Sequence, residues 1–85
     1  MKYICTKNEL GLEEIFLFPS IVDHDTMMEG LTHLRNRTTG QWKRVYREPV
    51  SAGFVNESWT CHGESVTLRL KSREEDTDIL RSQLF

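Results

Sequence analysis

The sequence predicts an α+β domain, an antiparallel sheet of four or five strands packed with two helices in the order ββαββ(β)α. Two blocks rich in β-branched and aromatic residues are each followed by a segment with helical periodicity. The composition is 38% hydrophobic and 28% charged, which is ordinary for a globular protein. A chain of 85 residues has room for one core, so residues 1–85 are expected to form a single domain.

The first two strands are predicted at Tyr3–Thr6 and Glu14–Phe18, whose residues favour extended structure. Turn-forming residues separate them, so they are expected to form a hairpin. The residues of the second strand are apolar on both faces from Ile15 onward. This strand should therefore lie inside the sheet with both faces at least partly covered.

The first helix is predicted from about Asp23 to Arg35. Asp23 and Asp25 stand where carboxylates accept backbone N–H groups at a helix start. Arg35, Arg37 and Thr38–Gly40 indicate its end, since basic residues and then poor helix formers follow one another there. The apolar residues at helical spacing are Met27, Met28, Leu31 and Leu34.

Three further strands are predicted in the second half of the chain. Trp42–Arg47 should end before Pro49, because proline has no N–H for a ladder. Val50–Val55 should follow, with Gly53 marking a bulge or a close backbone approach. Trp59–Cys61 and Ser65–Leu70 should then form a strand, tight turn and strand. The last strand should have one buried face, formed by its alternating residues Val66, Leu68 and Leu70.

The second helix is predicted to begin with a capping box in Ser72–Glu75 and to run to about Gln83. In a capping box Ser72 and Glu75 satisfy each other's free backbone N–H groups. The acids of its first turns oppose the positive end of the helix dipole and need no partner to explain them. Those acids are Glu74, Glu75, Asp76 and Asp78, and the packing residues are Ile79, Leu80 and Leu84.

The sequence does not suggest export or a membrane. The longest apolar run, Ile15–Phe18, is far shorter than the roughly 20 residues of a spanning helix. The first residues lack the apolar stretch of a signal peptide, so we expect a cytoplasmic location. In that setting Cys5 and Cys61 are expected to be small buried thiols.

Catalysis is not expected, and neither a metal nor a cofactor is predicted. Cys61 and His62 are neighbours in a strand, so their side chains point to opposite faces and cannot form a thiolate–imidazole pair. Asp23–Asp25 holds an imidazole between two carboxylates, but helix capping explains it. The cysteines and histidines lack the short ligand spacing of structural zinc sites, and the glycines are isolated.

The remaining signal is a basic, aromatic segment. Between Gly30 and Arg47 there is no acidic residue, while five of the eleven Lys and Arg residues lie there. The simplest interpretation is a solvated strand face with its aromatic rings in the core. The alternatives are a surface for an acidic protein or one for single-stranded nucleic acid, and the net charge of −2 favours the protein. The candidate partner-binding residues are Arg35, Arg37, Trp42, Lys43, Arg44, Tyr46 and Arg47.

Five motifs are distinctive: Asn8–Glu13, Phe18–Pro19, Pro49–Phe54, Cys61-x-Gly63-x-Ser65 and Leu68-x-Leu70-x-Ser72-Arg73-x-x-Asp76. Together they resemble a group of small proteins encoded by bacteriophages and prophages. The group has no assigned activity, so the resemblance implies a viral setting in the host cytoplasm and carries over no catalytic residue. Phage proteins of this size often inhibit host defence or host enzymes. By analogy, the resemblance raises the expectation of protein binding.

We therefore expect a small, non-catalytic protein-binding module whose partner is a host protein, such as a defence or regulatory factor. The other candidate partner is a second copy of the chain. Binding of single-stranded nucleic acid through residues 35–47 is the alternative function.

Overall fold

The computed structural model describes all 85 residues and confirms the predicted α+β class. Four strands form one antiparallel sheet in the order β2-β1-β5-β6, and two small two-stranded sheets, β3-β4 and β7-β8, lie outside it. The strands are β1 (Lys2–Lys7), β2 (Glu13–Phe18), β3 (His33–Arg35), β4 (Trp42–Arg44), β5 (Glu48–Val55), β6 (Cys61–His62), β7 (Glu64–Ser65) and β8 (Leu70–Lys71). The helices are α1 (His24–Thr32) and α2 (Glu74–Leu84).

The predicted first hairpin is confirmed. β1 and β2 pair from Lys2 opposite Phe18 to Lys7 opposite Glu13. The side chain of Asn8 shapes the turn, since its Oδ1 accepts the N–H groups of residues 10 and 12, both at 3.0 Å. β1 also pairs with β5, so it is one of the two inner strands of the sheet and is buried on both faces.

β5 begins before Pro49, so the prediction that this proline separates two strands is wrong. Cys5 pairs with Ser51, whereas Thr6 pairs with Pro49, which leaves Val50 as an extra residue on β5. A bulge of this kind interrupts the ladder and accommodates a residue that has no N–H to donate. β5 therefore runs through the proline.

The first helix is shorter than predicted, because His33–Arg35 is strand β3 and not the last helical turn. Thr32 Oγ1 donates back to the carbonyl of Met28 at 3.2 Å, and the residue after it, His33, is extended. β3 pairs with β4, and this pairing overrides the apolar spacing that placed Leu34 on the helix. The predicted strand at 42–47 is correspondingly only three residues long.

The predicted strand Ser65–Leu70 is wrong. Its ends belong to β7 and β8, and the residues between them form a turn. Ser65 Oγ accepts the N–H of Leu68 at 3.2 Å, and Arg69 has a positive φ of 55°. Val66, predicted to be buried, is 82% exposed, because it lies in this turn and not in a strand with one buried face.

The second helix begins one residue later than the predicted capping box implies. Its N-cap is Arg73, whose N–H donates to Asp76 Oδ2 at 3.0 Å, so Ser72 and Glu75 do not form the box. Asp76 is fully buried and is not one of the solvated acids of the first turn. Leu84, predicted to pack, is 42% exposed.

Neither helix is long and apolar enough to cross a membrane.

The sheet has an apolar layer on each face. The layer under α2 consists of Tyr3, Cys5, Ile15, Val55, Cys61 and Leu80. The layer under α1 consists of Ile4, Phe18, Met28, Leu31 and Ala52.

Candidate functional site

The basic segment forms a two-stranded ribbon, β3-β4, that lies outside the main sheet. Arg35 pairs with Trp42 and His33 pairs with Arg44. Residues directly opposite each other, and residues two apart on one strand, project from the same side of a ribbon. One face of the ribbon therefore carries these four side chains, and the other carries Leu34 and Lys43.

The ribbon is exposed on both faces. Each of its six residues is exposed, and Trp42 is 68% accessible. Tyr46, just beyond β4, is 54% accessible. The interpretation that placed these aromatic rings in the core is therefore wrong, and the indole lies between two arginines at the surface. We call His33, Arg35, Trp42 and Arg44 the ribbon face.

The loop at the end of the ribbon is held by its own hydrogen bonds. Asn36 Oδ1 accepts the N–H groups of Thr38 and Thr39, at 2.8 and 3.1 Å. The backbone of Asn36 bonds to Gln41 and Gly40, and Gly40 takes a φ of 71° that an L-residue rarely adopts. Arg37 is exposed in this loop. The loop fixes the spacing of the two strands and so preorganises the ribbon face.

Arg47 does not share this surface position. Its Nη1 donates to the carbonyl of Leu31 at 2.8 Å, and its guanidinium lies 4.9 Å from the ring centre of Phe16. It therefore holds the end of α1 and stacks on the sheet. The structure brings Arg35, Trp42 and Arg44 together and assigns Arg47 a structural contact.

A groove separates β4 from the turn between β1 and β2. It encloses about 340 Å³ and adds two side chains that the sequence did not indicate, the carboxylate of Glu9 and the apolar side chain of Leu10. Leu10 is 83% exposed. The groove is also lined by Asn8, Lys43, Arg44, Val45 and Tyr46.

A second cluster of charged residues lies beneath α2. Arg73 forms two 3.0 Å hydrogen bonds to the carboxylate of Glu13 and also contacts Asp76 Oδ1 at 2.9 Å. The hydroxyl of Tyr3 donates to Asp76 Oδ2 at 2.6 Å. Ser51 is fully buried in the same layer. No sequence pattern indicated this cluster, since Tyr3 and Glu13 lie 73 and 60 residues from their partners Asp76 and Arg73.

The pKa values in this cluster follow from burial and hydrogen bonding. Burial alone would raise the pKa of Asp76, but hydrogen bonds from Tyr3 and Arg73 outweigh it and hold that pKa below its usual range. Arg73 lowers the pKa of Glu13 in the same way. Burial and the bond to Asp76 raise the pKa of Tyr3 well above its ordinary value. Each charge is thus satisfied by a neighbour, and the cluster fastens α2 to the sheet.

Both cysteines are buried free thiols, as predicted. Burial raises the pKa of Cys5 to about 11 and also raises the pKa of Cys61. A thiol with a raised pKa is a poor nucleophile near neutral pH. Cys61 is buried and His62 exposed, so the two side chains of this pair lie on opposite faces as predicted.

The Asp23–Asp25 segment opens α1. The N-cap Asp23 makes no side-chain cap bond, whereas Asp25 Oδ1 accepts the backbone N–H of Thr26 at 2.9 Å. His24 is buried, and its Nε2 lies 3.0 Å from the carbonyl oxygen of Gly53. Its ring makes edge contacts with Phe18 and Phe54. His24 is therefore a packed, hydrogen-bonded core residue. No group of three or more His, Cys, Asp or Glu side chains is arranged to hold a metal ion.

Comparison of this chain with protein-family models, with curated proteins and with solved structures gives no match.

Proposed function

We propose that this chain is a small, non-catalytic, phage- or prophage-encoded protein-binding module. Its ribbon face contacts an acidic surface of a host protein, such as a defence or regulatory factor. The observation that carries the proposal is the exposure of Trp42 between Arg35 and Arg44 on a ribbon that contains no acid. The phage setting rests on the sequence resemblance alone.

The chemistry of the ribbon face supports a protein partner. Tryptophan and arginine are enriched among the residues that contribute most to protein interfaces, because they bury a large area and bond through planar groups. Covering an exposed indole removes apolar surface from water, which favours binding. The arginines add attraction to an acidic surface and speed encounter with it.

The ionisable groups that contact the sheet beneath the helices support a non-catalytic role. Asp76, Glu13, Arg73 and Tyr3 satisfy one another, and His24 is bonded to the backbone of Gly53. A group used in acid–base chemistry has to exchange its proton with a substrate. These groups are instead engaged in holding the helices to the sheet.

Charge reversal tests the proposal. Arg35→Glu combined with Arg44→Glu should abolish retention of the partner from a host lysate treated with nuclease, and Trp42→Ala should weaken it. Lys7→Glu combined with Lys71→Glu is the matched control, because both lysines are exposed and the net charge changes by the same amount. Arg47 is left intact, since its reversal would disturb α1. Equal retention by the reversed and the control proteins contradicts the proposal.

Nucleic acid is the second candidate, and the position of Trp42 is the observation that favours it. An exposed indole beside two arginines can stack on a base while the guanidinium groups contact phosphates. Our proposal expects no measurable binding of single-stranded RNA or DNA at about 150 mM salt. Binding at that salt that weakens steeply as salt rises, and that is lost in the Arg35/Arg44 reversal, replaces the first function with the second.

A further inference from the structure

The main sheet has one long unpaired edge. β2 has six residues and pairs on one side only, whereas the strand at the opposite edge, β6, has two residues. Ile15–Phe18 is a run of β-forming apolar residues. An edge of this composition is a template for another strand, because its outward N–H and C=O groups are free to pair.

The side chain of Gln83, from the last turn of α2, occupies the middle of this edge. Its Nε2 donates to the carbonyl oxygen of Ile15 at 3.0 Å, and its Oε1 accepts the N–H of Ile15 at 2.6 Å. This is the pair of bonds that a residue of a neighbouring antiparallel strand would make. The amide therefore substitutes for one residue of an absent strand.

The positions on either side of Ile15 border open grooves. Along an edge strand, the backbone N–H and C=O groups of every second residue point away from the sheet. Those of Glu13 and Leu17 therefore point outward, as those of Ile15 do. A groove of about 490 Å³ is lined by Glu13 and Gln83 among others. An apolar groove of about 440 Å³ is lined by Leu17 and Phe18 among others.

We infer that Gln83 is a guard on the β2 edge, and that the strand it excludes is β2 of a second copy. Two copies of β2 can pair antiparallel about a two-fold axis at Ile15. Ile15 then pairs with Ile15 of the second copy, and Glu13 pairs with Leu17 of the second copy. In this register no carboxylate stands opposite another, so like charges do not oppose the pairing.

The register explains why the guard is placed at Ile15. The two bonds on a two-fold axis are shared by both copies, so blocking this one residue interrupts the ladder at its centre. α2 holds Gln83 there, because Leu80 is buried against the sheet and Arg73 binds Glu13. This inference does not depend on the ribbon face or on its partner.

Substitution of Gln83 tests the guard. Gln83→Ala and Gln83→Met both remove the amide and keep good helix formers in α2. Analytical ultracentrifugation should show the parent as a monomer at all concentrations, whereas the variants should approach twice the monomer mass as concentration rises. Ser82→Ala, at an exposed neighbouring position of α2, is the control and should remain monomeric.

Amide hydrogen exchange at Ile15 separates the outcomes. In dilute solution the Ile15 amide of the variants should exchange at least tenfold faster than in the parent, and this loss of protection should reverse in the dimer. A parent that already dimerises overturns the inference. So do variants that stay monomeric at high concentration, whether their Ile15 amide has been released or remains as protected as in the parent.

Discussion

At the scale of single residues, Asp76 shows how one buried carboxylate fixes an element. Its two oxygens accept from the Tyr3 hydroxyl, from the N–H of Arg73 and from the Arg73 guanidinium. Arg73 in turn binds Glu13 on β2. One residue thus connects the start of α2 to β1, and through its guanidinium partner to β2. Such a group is stabilising only while every member stays paired, because a lone buried charge is very unfavourable.

Acid should therefore destabilise this protein through the cluster under α2. Asp76 and Glu13 both have folded-state pKa values below their ordinary values. Their contribution to stability is fully present above the ordinary carboxyl pKa and is lost as the pH falls through the depressed folded pKa. The urea concentration at the midpoint of unfolding should consequently decrease once the pH is lowered below about 4. Urea unfolding followed by circular dichroism across this pH range measures it.

The matched substitutions separate this cluster from ordinary surface acids. Asp76→Ala should cost about 1–3 kcal/mol or more at neutral pH, since it leaves the buried hydroxyl of Tyr3 without an acceptor and removes one of the two carboxylates that Arg73 binds. Asp78→Ala, at an exposed position of α2, should change stability by about 0.5 kcal/mol or less. If Asp76→Ala behaves like Asp78→Ala, the cluster does not fasten the helix.

At the scale of elements, the sequence was informative where a local pattern agreed with the tertiary contacts. The first hairpin was predictable because its turn and both strands carry their own signals. Ser65–Leu70 alternates as a strand does, but the hydroxyl of Ser65 and the positive φ of Arg69 turn the chain between β7 and β8. The predicted last turn of α1 is instead strand β3, because it pairs with β4, and no local pattern indicates this pairing.

The candidate site divides in the same way. Charge and composition identified the ribbon residues, since a run of residues without acids is visible in the sequence. The exposure of Trp42 and the inward contact of Arg47 depend on how the ribbon sits relative to α1 and β2. Gln83 carried no signal at all, because its partner Ile15 is 68 residues away. Only the fold brings such pairs together.

β5 approaches the backbone between β6 and β7 closely at Gly53. A Cβ added at Gly53 would collide with the carbonyl oxygen of His62, which is backbone and cannot swing away. Gly53→Ala should therefore cost about 1–3 kcal/mol or more. Gly30→Ala is the control, since space is open there and alanine favours helix α1, so it should stabilise by about 0.5–1 kcal/mol. Chemical denaturation of both variants measures the difference, and equal midpoints contradict the close approach.

At the scale of the whole molecule, charge and packing are distributed differently. The ribbon holds the acid-free segment, while exposed acids lie on α2, so a protein of net charge −2 presents a local basic surface. The two apolar layers, in contrast, share a strand. The inner strand β1 contributes Tyr3 and Cys5 to the layer under α2 and Ile4 to the layer under α1. If β1 leaves the sheet, both layers are therefore disrupted.

This sharing predicts that the two layers unfold together. Leu80→Ala removes a side chain from the layer under α2, and Met28→Ala removes one from the layer under α1. Each should cost about 2–5 kcal/mol, and each should still unfold in one transition, because both layers depend on β1. Far-ultraviolet circular dichroism and tryptophan fluorescence should give the same midpoint within each variant. If Leu80→Ala loses helical signal at a lower denaturant concentration than the fluorescence change, α2 unfolds separately and the shared strand does not couple the layers.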